Sequence, residues 1–191
     1  MTRILLALLV LLCTACVQLG SDPVPMRYYL LEPTLQSATD YSGNTFNLSI
    51  EPIEIPAYLD RPQLVVKNRG NMIAFDDSER WAEPVQNGMS RVIRDNLVRI
   101  FPASEISIAP WEARPKEAIS LVATVNAFTA APHGETDIGI YWSLVSRGAV
   151  IKQGHFTDRQ PVGESYRDMV SGLNKGLERF SRMLAEELKN D

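Results

Sequence analysis

Cysteine and histidine are scarce in this sequence, two of each, and much chemistry is excluded with them. Both cysteines, Cys13 and Cys16, stand at the amino end. Everything after Cys16 lacks a thiol for a disulfide, a CxxC redox pair, a thiolate zinc site or a cysteine nucleophile. His133 sits in Pro-His-Gly, a turn signal, and His155 in a strand-like stretch, so the two share no metal-ligand spacing. There is no GxSxG elbow, no glycine-rich phosphate loop and no HExxH. Basic tracts are missing as well: 19 Lys plus Arg face 23 Asp plus Glu, net −4. That balance argues against nucleic acid and anionic lipid surfaces as partners of the folded part. No apolar run reaches the roughly 20 residues needed to cross a bilayer's hydrocarbon core. The acidic cluster Asp76, Asp77, Glu79 beside Arg80 lacks the ligand spacing of a calcium loop and reads as a capped helix start. No metal and no cofactor is expected. Catalytic triads assemble across distant segments, which keeps an envelope hydrolase among the readings.

What the sequence does have begins with Arg3, the apolar run Ile4 to Leu12, and the small residues Thr14 and Ala15 directly before Cys16. This order predicts a signal peptide over 1–15. A pair of buried cysteines in an amino-terminal core helix is the rival reading. The segment LLCTAC resembles the bacterial lipobox, with Cys13 where leucine is usual, and the resemblance implies cleavage before Cys16 and its acylation, palmitate included. Each buried methylene of such chains contributes about 0.8 kcal/mol, so two or three chains make a durable anchor. Val17, in place of Asp, implies by resemblance to enterobacterial sorting an outer-membrane location facing the periplasm. Residues 16–26, the lipidated cysteine and VQLGSDPVPM, read as a tether, and residues 27–191 as one domain of ordinary size.

Within the domain, RYYLLEP at 27–33 and Phe46 to Ile55 read as strands, the second by its period of two. QLVVKN and MIAFDD flank Arg69-Gly70-Asn71 as a hairpin. Asp77 or Ser78 is expected to cap a helix with Pro84 in its first turn and an apolar face of Val85, Met89, Val92, Ile93, Leu97 and Ile100. EISIAP, AISLVATVNAFTAAP, ETDIGIYWSLVSR and AVIKQGHFTDR read as four more strands. A long amphipathic helix from about Glu164 to Lys189 closes the chain, its stripe fitting either the core or a partner helix. The order predicts an α+β fold: a single domain whose mainly antiparallel sheet carries two amphipathic helices on one face.

Two prolines bracket Ala57-Tyr58-Leu59-Asp60-Arg61, so this connection is stiff and holds exposed side chains at reduced entropic cost. It suits a binding loop. An equally physical reading has Tyr58 and Leu59 covering the core edge while Asp60 and Arg61 satisfy local backbone. The lipobox cysteine, YYLL at 28–31, IPAYLDRPQLV at 55–65 and RWAEP at 80–84 together resemble the ABC-type transport auxiliary lipoproteins of the PqiC/YmbA type. That resemblance spans nearly the whole mature chain. It implies a non-enzymatic periplasmic subunit working with an MCE-domain protein of a lipid transporter between inner and outer membranes, in support of envelope integrity. MCE assemblies are rings, so a homo-oligomer of this subunit would match their symmetry. It also marks Tyr58, Leu59, Asp60, Arg61 and Trp81 as partner-contact or family-motif positions. A lipid-binding periplasmic shuttle is the alternative.

Overall fold

The computed structural model describes residues 24–36, 45–67 and 72–189. The leader, Cys16, most of the tether and the Arg69-Gly70-Asn71 connection lie outside the described residues. Eight strands form one mixed sheet: β1 (Arg27–Tyr29), β2 (Asn47–Ile50), β3 (Gln63–Lys67), β4 (Ile73–Trp81), β5 (Glu105–Ile108), β6 (Ile119–Ala130), β7 (Thr136–Ser146) and β8 (Ala149–Asp158). Two helices, α1 (Val85–Ile100) and α2 (Tyr166–Lys189), complete the α+β domain. No described helix is long and apolar enough to cross a membrane.

Inward and outward residues alternate along most of β6 and β7. Leu121, Ala123 and Val125 face Leu144, Trp142 and Ile140 across an antiparallel ladder, and all six are buried. A register shift between Val125 and Ala127 then moves the buried phase to Phe128. One inserted residue is enough, because side chains alternate with a period of two. β8 continues the ladder on the far side of β7. The other flank of β6 is shared: β2 runs parallel to its first residues, and β3 joins it through Val66 beside Ala130. Glu54 bridges to Thr124 between them. β5 extends beyond β2, while β4 and then β1 extend beyond β3.

α2 carries its stripe into the core through Met169, Val170, Leu173, Leu177, Phe180, Leu184 and Leu188. Its start is a reciprocal cap: Ser165 Oγ accepts from the Asp168 amide at 3.1 Å and Asp168 Oδ2 accepts from the Ser165 amide at 3.0 Å. The helix lies so close to β7 that a Cβ on Gly176 would fall 2.1 Å from Ile138 Cδ1. Arg179 donates to both carboxylate oxygens of Asp158, at 2.7 and 2.6 Å, fixing α2 to the end of β8.

α1 buries the expected face, Val85, Met89, Val92, Ile93, Leu97 and Ile100. Its start corrects the sequence expectation. Asp77 and Ser78 do not cap it, because β4 runs on to Trp81 and takes both into the sheet. Pro84 is the N-cap and brings no side-chain hydrogen bond. The acidic cluster therefore belongs to a strand. Asp76 accepts from the Ser78 amide and hydroxyl at 2.9 and 2.6 Å, and Glu79 is fully buried.

Candidate functional site

The three segments singled out in the sequence meet around the end of β4. The Trp81 amide donates to the Pro62 carbonyl at 2.7 Å, and the Ala82 amide donates to the Tyr29 carbonyl at 2.8 Å. The YYLL strand, the proline-bracketed loop and the RWAEP segment are thereby stitched by backbone, each supplying an amide or carbonyl that another needs. Leu59 turns inward to 3% exposure and Trp81 to 8%, so both pack in the core. The loop folds back on itself through amides of Leu59 and Arg61, which reach the carbonyls of Pro56 and Leu59.

The remaining loop side chains face outward or across the sheet. Tyr58 is half-buried and its hydroxyl donates to the Asn126 carbonyl at 3.2 Å. Burial raises its phenol above the ordinary value. The Arg61 guanidinium lies 3.7 Å from the centroid of the Phe75 ring, a cation–π contact. Asp60 is exposed.

A pocket of about 320 Å³ opens between loop and helix start, lined among others by Asp60, Arg61, Trp81, Glu83, Pro84 and Gln86. Two of its polar atoms, Arg61 Nε and Gln86 Oε1, are covered yet have no hydrogen-bond partner among the described residues. Unmet groups of this kind are uncommon in native proteins. The α1 amino end contributes further donors, since it has no side-chain cap and no acidic residue in its first turn. Glu83 is drawn off to Arg91, which also donates to the Leu31 carbonyl at 3.0 Å. Gly88 allows this packing: a Cβ there would meet Glu83 Oε1 at 3.1 Å and Leu31 Cδ1 at 3.4 Å. Gln86 escaped the sequence reading, and the proline that opens its helix was the available signal.

Beneath the pocket, β1 is clamped to β4 by one carboxylate. Glu79 accepts from the Arg27 guanidinium and from the Tyr29 hydroxyl, the latter at 2.7 Å. Burial, reinforced by that hydrogen bond, pushes the Tyr29 phenol up to about 12. Asp76 is held below the ordinary carboxylate range by the Ser78 donors, and also accepts from Tyr166 of α2 at 3.1 Å. Of the two histidines, His155 stacks on Tyr141 with ring centroids 4.0 Å apart, and His133 occupies a turn with φ of 57°. Among the described residues no group of three potential metal ligands occurs.

Solved structures share this fold. An uncharacterized protein is 21% identical with a TM-score of 0.72, the match covering 85% of this chain and 98% of that one. A protein from Xanthomonas campestris is 11% identical with a TM-score of 0.70 over 83% of this chain and 92% of that one. No curated protein matches. The family model of the ABC-type transport auxiliary lipoprotein component matches residues 28–185, a span that contains all three converging segments. The chain belongs to the family of ABC-type transport auxiliary lipoprotein components.

Proposed function

We propose that this chain is the non-enzymatic docking subunit of an MCE/ABC-type lipid transport system, acylated on Cys16 and held at the periplasmic face of the outer membrane. Its contact with the MCE-domain protein runs through the pocket between residues 57–62 and the start of α1. The observation that carries this reading is that two of the family segments line one pocket, the third being bonded to it through Tyr29, and that Arg61 Nε and Gln86 Oε1 have no hydrogen-bond partner among the described residues. Acyl anchoring confines the domain to a thin layer, which raises its effective concentration toward a partner spanning the periplasm. By linking two membranes the assembly supports envelope integrity.

A shuttle would need the layer between sheet and helices to open around a lipid. That layer is filled by Leu121, Leu144, Leu177, Phe180 and Leu184, none more than 0% exposed, so docking fits the packing better than carriage. Self-association into a ring would match the symmetry of an MCE assembly, and sedimentation of the delipidated protein tests it by whether a discrete oligomer forms.

The decisive experiment is site-specific cross-linking in cells from Asp60 and Gln86, with Val98 on the exposed side of α1 as comparison. Adducts to an MCE-domain protein from the first two positions only are expected; equal adducts from all three, or none, would sink the docking role. Anchoring is tested apart from it: Cys16→Ser should abolish palmitate incorporation and release the protein from outer-membrane fractions.

A further inference from the structure

One end of the sheet gathers features that the motif pocket does not use. Lys67 pairs with Ile73, Val66 with Ala130, Ala130 with Thr136, and Ile138 with Asp158. The ends of β3, β6 and β8 and the starts of β4 and β7 therefore lie side by side. A cleft of about 690 Å³ opens there, with Lys67, Thr129, Glu135, Asp137 and Arg159 in its wall. Lys67 Nζ donates to Asp137 Oδ2 at 2.6 Å and Arg159 Nε to Oδ1 at 3.1 Å. Burial would raise the Asp137 carboxyl, yet these two donors and their charges outweigh it and hold it below the ordinary range.

Two cations share the Asp137 carboxylate and Glu135 stands in the same wall, so the charges balance, but both cations keep further N–H groups to donate. Thr129, 2% exposed, stands in the same wall, its Oγ1 lacking a hydrogen-bond partner among the described residues. Spare charged N–H donors beside an unmet buried hydroxyl make a receptor for an oxyanion.

The path of the chain indicates which oxyanion. β1 runs parallel to β4, with Arg27 opposite Glu79 and Tyr29 opposite Trp81. The backbone before Arg27 therefore leaves β1 in the direction of Ile73, toward the cleft. From Glu79 back to Ile73 the strand covers about 20 Å, and the chain from Cys16 to Arg27 reaches at most about 38 Å. A bilayer anchor on Cys16 would lie within that reach, so this end of the domain can sit against the membrane that holds it. Two apolar side chains are exposed here, Met72 at 64% and Ile73 at 39%.

We propose that this end is a membrane-facing surface, in which the cleft of Lys67, Thr129 and Arg159 receives the phosphate of a phospholipid headgroup while Met72 and Ile73 enter the interfacial layer. The inference rests on acylation of Cys16. It is compatible with a net charge of −4, because it requires one phosphate, present in zwitterionic and anionic lipids alike, and not a broad electrostatic attraction. Its consequence is orientation. Trp81 and the motif pocket lie at the far end of β4, so the headgroup contact turns the pocket away from the anchoring bilayer.

The test uses the full acylated protein in vesicles of phosphatidylethanolamine and phosphatidylglycerol, with an environment-sensitive dye on Met72→Cys. Its emission should shift to the blue and be quenched by brominated acyl chains. The same dye on Val150→Cys, at the opposite end of β8, should show neither. Lys67→Gln with Arg159→Gln should weaken the contact, each cation dividing its equilibrium constant by about five. Thr129→Val should weaken it too while leaving thermal unfolding unchanged or raised, since the free fold loses no hydrogen bond. Equal responses at 72 and 150, or a response at 72 indifferent to these substitutions, would overturn the proposal. A response to inorganic phosphate that needs Lys67 and Arg159, without dye insertion at 72, would overturn the headgroup assignment in favour of a free-anion site. A free Cys16 thiol in the mass spectrum would sink the anchoring reading instead. Flotation of that unacylated protein with vesicles, lost on Lys67→Gln with Arg159→Gln, would still carry the cleft.

Discussion

The two flanks of this sheet are built by different rules. On one, β6, β7 and β8 are 12, 11 and 10 residues long, pair antiparallel with one another and lie under a 24-residue helix. On the other, β1, β2, β3 and β5 have only three to five residues each and several pairings are parallel. That flank also holds the proline-bracketed loop and the unpartnered atoms of Arg61 and Gln86. Long ladders with a continuous apolar face hold the fold; short strands joined by stiff loops present side chains. The contrast teaches that the longest ladders and the motif pocket with its unmet polar atoms lie on different flanks, and substitutions can break or sharpen it.

The largest loss should come from the regular flank. Phe180 is fully buried and its ring lies 5.3 Å from that of Phe156 on β8. Phe180→Ala should cost about 3–5 kcal/mol, the usual range for opening an aromatic-sized cavity. Urea denaturation measures it, and a change near the noise would dissolve the contrast. Next comes the clamp between β1 and β4. Glu79→Ala leaves the Tyr29 hydroxyl without its acceptor, so a loss of about 2 kcal/mol is expected. Because β1 is the strand nearest the tether, amide exchange should rise in residues 27–31 more than in β6 to β8.

The same clamp makes the irregular flank sensitive to alkali. Tyr29 has its phenol raised from 10.0 to about 12 in the folded protein. A group with a raised folded value favours folding fully below its unfolded value and loses that contribution as pH climbs to the folded one. Stability should therefore decline between pH 10 and about 12, and Tyr29→Phe should flatten part of that decline. Tyr58 and Tyr166 are raised as well, so a residual slope is expected. Unfolding midpoints taken across this window, wild type against variant, decide; identical slopes would remove Tyr29 from the account.

The regular flank was legible because one physical rule governs it. Period two in β6 and β7 and period 3.6 in both helices follow from which side faces the core, and the residues named from periodicity are nearly all buried. The departures have local causes. The buried phase of β6 passes from Val125 to Phe128 at a bulge, which has no signature in hydrophobicity alone. Asp77 and Ser78 resemble helix caps in isolation, but β4 recruits them since Arg27 and Tyr29, 52 and 50 residues away, supply the partners that let Glu79 be buried. The motif loop was visible through its prolines, whereas its meeting with Gln86 was not. Lys67 and Arg159 were just as hidden: each is an ordinary cation in sequence, and only the sheet register brings both to Asp137.

The smallest effect on stability is expected where the effect on function is greatest. Asp60 is exposed and makes no hydrogen bond among the described residues, and Gln86 Oε1 has no partner to lose. Asp60→Ala and Gln86→Ala should each change unfolding free energy by no more than about 0.5 kcal/mol. If the pocket is a docking surface, the same substitutions should lower capture of the MCE-domain protein, with Gln86→Ala the stronger because its carbonyl is already desolvated and needs only a donor from the partner. The comparison with Phe180→Ala is what gives the result its force: a well-folded variant that fails to dock separates recognition from stability. A variant at position 86 that unfolds as easily as the Phe180 one would show instead that the loop, the helix start and the core are a single structural unit.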